Sequence, residues 1–206
     1  MPKAPMTQEE INNTRERILE TAQRLFTLES YAGVDMRRIA KETGIATGTL
    51  YNYFSSKQDL LLAVVEHSWR VSVQRLEEGM STNDDQEPPV ARLIRLLYQE
   101  FRQNKVLGMT RMQLIKPEHA KQMAKNPNLP PEPVRSLVQD IAPLFQKAVS
   151  QQYDCQMNPQ FTGNPRIVGA LPMLIVSMEM LNAETPDENI RFLQDLVHGY
   201  MITQCV

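Results

Sequence analysis

An all-α fold is predicted by three features of this 206-residue chain. Apolar side chains recur at helical intervals along most of its length, strand-like alternation is absent, and only 8 glycines are present. No internal repeat divides it. Residues 1 to 8 are polar and proline-bearing and read as an arm. From about Gln8 to Leu28, Ile11, Ile18, Ala22, Leu25 and Phe26 form a helical stripe. Asp35 is placed to cap a second helix, since its carboxylate can accept the free amide hydrogens of a helix start. Ile39 and Ala40 lie on the buried side of that helix, and the small Ala40 lets another helix cross closely. Gly44 then supplies the left-handed residue that ends it.

A third helix begins near Thr47. Ile45, Leu50 and Phe54 pin it to its neighbours, and Thr47, Gly48, Thr49, Tyr51, Asn52 and Tyr53 are left facing outward. Lys57 to Glu78 follows as a long helix bearing Leu60, Leu61, Val64, Val65, Trp69, Val73 and Leu76. Ser81 to Pro89 has loop composition. Helices are expected at about Pro89 to Gln103, with Val90, Leu93, Ile94, Leu97 and Phe101, and at about Val106 to Ile115. A proline-rich break covers Asn126 to Pro133. Three more helices follow: Pro133 to Gln152, which Pro143 should bend, then Asn164 to Asn182 and Asp187 to Gln204.

Two short helices joined by a tight turn, the second carrying small, hydroxylated and aromatic groups, are the layout of a helix-turn-helix DNA reader. The residues AQRLF, Ala22 to Phe26, and RRIAKETGIATGTLYNYFSSKQDLL, Arg37 to Leu61, resemble the DNA-binding domain of TetR-type (TetR/AcrR) transcriptional regulators. The most specific part is GTLYNYFSSK, Gly48 to Lys57. The resemblance implies an all-helical homodimer with an N-terminal helix-turn-helix domain and a C-terminal domain that binds a small-molecule inducer and dimerises. The domain limits read from the sequence are 1–65 and 66–206, with the boundary inside the long fourth helix because a helix is a stiffer lever than a coil.

The net charge of −2 excludes a general polyanion binder, so any nucleic-acid contact must be local. From Arg37 to Lys57 the basic residues Arg37, Arg38, Lys41 and Lys57 face the single acid Glu42. Asn52 suits bidentate pairing with adenine, and Thr47 and Thr49 offer a hydroxyl and a methyl to base edges. Gly48 permits close backbone approach. By resemblance, base contacts fall to Thr47, Thr49 and Asn52, and phosphate contacts to Tyr51, Tyr53 and Lys57. Arg37 and Arg38 either reach phosphate or remain surface charges with helical partners such as Glu42.

Three positions depart from the family pattern. Asp35 stands where a phosphate-bonding threonine is common, and its charge would repel phosphate. Ala46 replaces a capping serine, and Ser30 replaces a glycine, which predicts strain in the turn before Tyr31.

The operator duplex and a second copy of the chain are the expected partners, together with an apolar or aromatic small ligand. Trp69, Tyr98, Phe101, Met109, Met112, Phe145 and Met173 are candidates to line its site; each could equally fill core. Ile167, Leu171, Leu174, Ile175 and Met178, with Leu193, Leu196, Val197 and Tyr200, are the candidate dimer face, or else intramolecular core. A second reading keeps the fold but makes the chain a DNA-located adaptor for a protein partner, without an inducer. His67, His119 and His198 are scattered, Cys155 and Cys205 have no metal-ligand spacing, and no catalytic grouping appears, so neither cofactor nor metal nor enzymatic activity is expected. The most apolar uncharged run, Ile167 to Met178, is interrupted by Pro172 and falls short of the ~20 residues that span a bilayer; with two distant cysteines and a polar N-terminus that does not read as a signal peptide, a reducing, cytoplasmic setting is the simplest reading.

Overall fold

The computed structural model describes residues 7–82, 87–104, 106, 132–153 and 165–204. Among these are eight α-helices and no strand. They are α1 (Gln8–Gly33), α2 (Met36–Thr43), α3 (Thr47–Tyr53), α4 (Lys57–Ser81), α5 (Pro89–Gln103), α6 (Glu132–Gln152), α7 (Pro165–Leu181) and α8 (Pro186–Gln204). The all-α prediction holds. The predicted helix at Val106 to Ile115 falls almost wholly outside the described residues, as does most of the proline-rich break.

The chain divides into two compact units, Met1–Ser68 and Trp69–Val206. In the first, α1 opens with a capping box: Thr7 Oγ1 accepts from the Glu10 amide at 3.2 Å, and the Thr7 amide donates back to the Glu10 carboxylate at 2.8 Å. Thr7 therefore belongs to the helix start and not to a free arm. The helix also runs past Leu28, but not smoothly. Ser30 has φ 67° and ψ 158°, a backbone region that glycine alone occupies without strain, and the helix resumes beyond it.

Asp35 caps α2 as expected, Oδ1 accepting from the Arg38 amide at 2.7 Å. At the other end Gly44 takes φ 76°, and the Ile45 amide reaches back to the Ala40 carbonyl while that of Gly44 reaches Lys41. This double closure satisfies carbonyls that a helix end would otherwise leave open, and it turns the chain sharply into α3. The unit's core is Ile18, Leu19, Ala22, Leu25 and Phe26 from α1, Ile39 and Ala40 from α2, Leu50 from α3, and Leu60, Leu61 and Val64 from α4.

In the second unit, Gly79 on α4 allows α5 close: a Cβ there would lie 2.8 Å from Leu96 Cδ1. Helix α5 packs on α6, α7 and α8 through Leu93, Ile94, Leu97 and Tyr98, all fully enclosed. Facing them are Ile141, Phe145 and Ala148 of α6, Val168, Leu171 and Ile175 of α7, and Leu193, Val197 and Met201 of α8. Helix α6 continues through Pro143 and α7 through Pro172. Pro186 opens α8, where its missing amide hydrogen is no loss, and Asp187 and Glu188 favour the positive helix start.

Candidate nucleic-acid interface

Helix α3 is held by a single inward row. Leu50 is fully buried and Phe54, just past the C-terminus, is nearly so, whereas Ile45 is only half-buried. Burying a leucine stabilises by roughly 1.5–3 kcal/mol, enough to fix a seven-residue helix that could not persist alone. The opposite side is open. Gly48, Tyr51 and Asn52 are exposed, Thr47, Thr49 and Tyr53 are half-buried, and nothing lies within 4 Å of where a Gly48 Cβ would sit. Ala46 provides no side-chain cap, so the first amides of α3 remain available to other acceptors.

The surrounding charges are ordered by contacts of which the sequence reading raises only that of Arg38 with Glu42. Arg17 of α1 donates from Nη2 to the Thr43 carbonyl at 2.7 Å, closing the end of α2 from outside. Arg24 pairs with Glu42 at 3.1 Å, and Arg38 bridges Glu29 at 3.1 Å and Glu42 at 3.3 Å. The Arg24 hydrogen bond, then the charge of Arg38, hold the Glu42 carboxyl below its ordinary range. Of the two candidate arginines, Arg38 is thus engaged and Arg37 is exposed. Exposed ion pairs contribute only about 0–1 kcal/mol, so Arg38 could exchange its carboxylates for phosphate at little expense.

Lys57 begins α4, and its Nζ stands 4.2 Å from the centre of the Tyr31 ring. Arg15 lies 5.5 Å from the Phe54 ring centre. Among the described residues Arg17, and not Arg15, donates to a backbone carbonyl. No local signal distinguishes them, because Thr43 is 26 residues away.

Residues 18–64, which span α1 from Ile18 through the turn and α3 into α4, match the family model described as bacterial regulatory proteins, tetR family. The chain carries a tetR-family DNA-binding domain. It is 29% identical over 90 residues to an uncharacterised helix-turn-helix transcriptional regulator, YxaF, of Bacillus subtilis, covering 43% of this chain and 47% of that one. Over 99 residues it is 31% identical to another from Lactococcus lactis, with 47% and 50% covered. The matched stretch thus spans about half the length of these curated relatives. In fold the likeness is more extensive. A tetR-family regulator from Pectobacterium atrosepticum superposes with TM-score 0.64 at 21% identity over 98% of both chains. FadR of Bacillus subtilis, solved in complex with stearoyl-CoA, gives 0.55 at 14% identity over 86% of this chain and 96% of its own.

In the body, the candidate ligand residues separate. Trp69 is buried, donates from Nε1 to Asp140 Oδ2 at 2.7 Å, and packs on Phe101 with ring centres 5.9 Å apart. Phe145 is buried on α6, the helix that carries Asp140. Tyr98 is fully enclosed, its hydroxyl bonded to Glu179 and receiving the Asn189 amide at 2.8 Å. Met173 is 58% exposed and does not join the buried group. Met109 and Met112 lie outside the described residues.

The candidate dimer face also divides. Leu171, Ile175, Leu193 and Val197 are core of this subunit and unavailable to a second one, whereas Leu174 and Leu196 are exposed and Ile167, Met178 and Tyr200 are half-buried. Additional exposed apolar groups are Met173, Met180 and Leu181 on α7 and Phe192 and Ile202 on α8. An apolar period marks two stripes on each of these helices, and only packing reveals which stripe points inward. Among the described residues no helix is long and apolar enough to cross a membrane.

Proposed function

We propose that this chain is a ligand-responsive transcriptional repressor that binds its operator as a homodimer. The observation that carries the reading is the two-sidedness of α3, with Leu50 enclosed and Gly48, Tyr51 and Asn52 presented outward. Thr47, Thr49 and Asn52 would read base edges, while Tyr51, Tyr53, Lys57 and the arginines Arg37 and Arg38 would hold the phosphates. One such helix reads too few base pairs to single out an operator, so two heads are needed on successive half-sites.

The exposed apolar residues of α7 and α8, with Leu174, Leu196 and Phe192 among them, support a dimer built on those helices. In the body, Trp69, Phe101 and Phe145 support a site for an apolar or aromatic ligand, and the FadR neighbour was solved in complex with stearoyl-CoA, whose acyl chain is apolar. Such a ligand would favour a spacing of the two heads that no longer fits successive major grooves, and to do so it must prefer one spacing by a few kcal/mol.

Selection of bound fragments from random duplex DNA with purified protein tests the reading. A two-fold symmetric sequence should emerge, with half-sites about one helical turn apart. Tyr51→Phe and Lys57→Ala should weaken binding with little change in sequence preference, and affinity should fall steeply with salt. Recovery of no duplex would overturn the assignment. A dimer that binds DNA but carries only a protein partner would favour the adaptor instead.

A further inference from the structure

Resting on the DNA-binding reading, we propose that Tyr31 is a positioning residue for DNA: its ring is a shelf that fixes the Lys57 ammonium for a backbone phosphate, and the Ser30 kink sets the shelf in place. Three observations converge. Lys57 is the first residue of α4, four positions after Tyr53 ends the recognition helix, and its Nζ lies 4.2 Å from the Tyr31 ring centre. The ring is itself anchored, 5.4 Å from that of Phe26 at an interplanar angle of 60°, and Phe26 is fully buried. Tyr31 immediately follows the residue at φ 67°, so it departs from the register that an unbroken α1 would impose.

What the shelf achieves follows from charge. Arg24 and Arg38 face carboxylates that offset their charge, whereas among the described residues no carboxylate pairs with Lys57. A ring face attracts the ammonium through its quadrupole without neutralising it, so the full charge remains for the phosphate. An ammonium has three donors, and one ring occupies a single side of it. Restricting a long side chain beforehand removes part of the ordering penalty that phosphate binding otherwise carries. The opposite outcome is equally concrete: if the ring competed with phosphate for the ammonium, removing it would tighten binding.

The test is a double-mutant cycle on the full chain, using a duplex recovered by the selection above. Tyr31→Leu should bind about threefold more weakly, and Tyr31→Phe should match the parent because the ring face is kept. Lys57→Ala should bind more weakly and lower the slope of log affinity against log salt by about 1, whereas Tyr31→Leu leaves that slope unchanged. In the Lys57→Ala background, Tyr31→Leu should have no further effect. Should Tyr31→Leu fold poorly, Tyr31→Phe carrying successive ring fluorines preserves the packing while weakening the ring face, and affinity should decline with each fluorine. Equal or tighter binding by Tyr31→Leu, an undiminished loss without Lys57, or indifference to fluorination would overturn the proposal and leave the DNA-binding reading intact. Failure of the parent to bind any duplex would remove both.

Discussion

Replacing Ser30 with glycine should stabilise the protein, against the usual rule that a new glycine weakens a helix. The serine holds φ 67° and ψ 158° three residues before the end of α1, and a non-glycine residue in that region is strained by about 1–3 kcal/mol. The side chain is exposed, and its Oγ lies 3.8 Å from where a Cβ on Gly33 would sit, a van der Waals distance that anchors nothing. Glycine removes the strain but loosens the unfolded chain, which offsets about 0.4–1 kcal/mol. The net gain is about 0.5–2 kcal/mol, and at roughly 2–4 °C per kcal/mol for a chain of this size Tm rises by a few degrees. Urea unfolding followed by far-ultraviolet circular dichroism measures it directly: the midpoint should move up with the slope unchanged. Ser30→Ala is the control, because alanine suffers the same strain and should leave the midpoint near the parent's. A Ser30→Gly protein no more stable than Ser30→Ala would refute the argument.

Tyr98→Phe removes the hydroxyl that joins α5 to Glu179 of α7 and Asn189 of α8, leaving the Asn189 amide short of a partner; a loss of about 1–3 kcal/mol in urea unfolding is expected. No change would mean that water replaces the hydroxyl freely. Stability should also decline in acid. Glu42 is held low chiefly by Arg24, and Asp59 by the Ser55 and Ser56 hydroxyls, from ordinary values of 4.5 and 3.8. A depressed carboxyl adds stability that is complete above its unfolded value and is lost as pH falls through the folded one, so the urea midpoint should drop below about pH 4.5, less steeply in Arg24→Gln. An identical acid profile for that variant would count against the Arg24–Glu42 pairing. Leu196→Glu, at an exposed position of α8, should convert the proposed dimer to monomer in sedimentation while helicity is retained; an unaltered dimer would place the interface elsewhere.

The sequence by itself determined whatever depends on neighbours along the chain. Asp35 as a cap and Gly44 in the left-handed region follow from interactions within one helical turn, and the strain at Ser30 was legible because serine has no means of relaxing a glycine conformation. Tertiary structure alone decided what depends on partners remote in sequence. Tyr98 reads as a pocket aromatic until Glu179 and Asn189, 81 and 91 residues away, are seen to take its hydroxyl. For Arg38 the sequence leaves phosphate contact and pairing with Glu42 both open, and the structure shows the Glu42 pair together with a second one to Glu29, on the preceding helix. On α7, Leu171 and Leu174 carry the same apolar signal, yet one is core and the other surface. Helical periodicity reports that an apolar stripe exists; the direction it faces on α7 is fixed only when α5 and α6 close over one side of it.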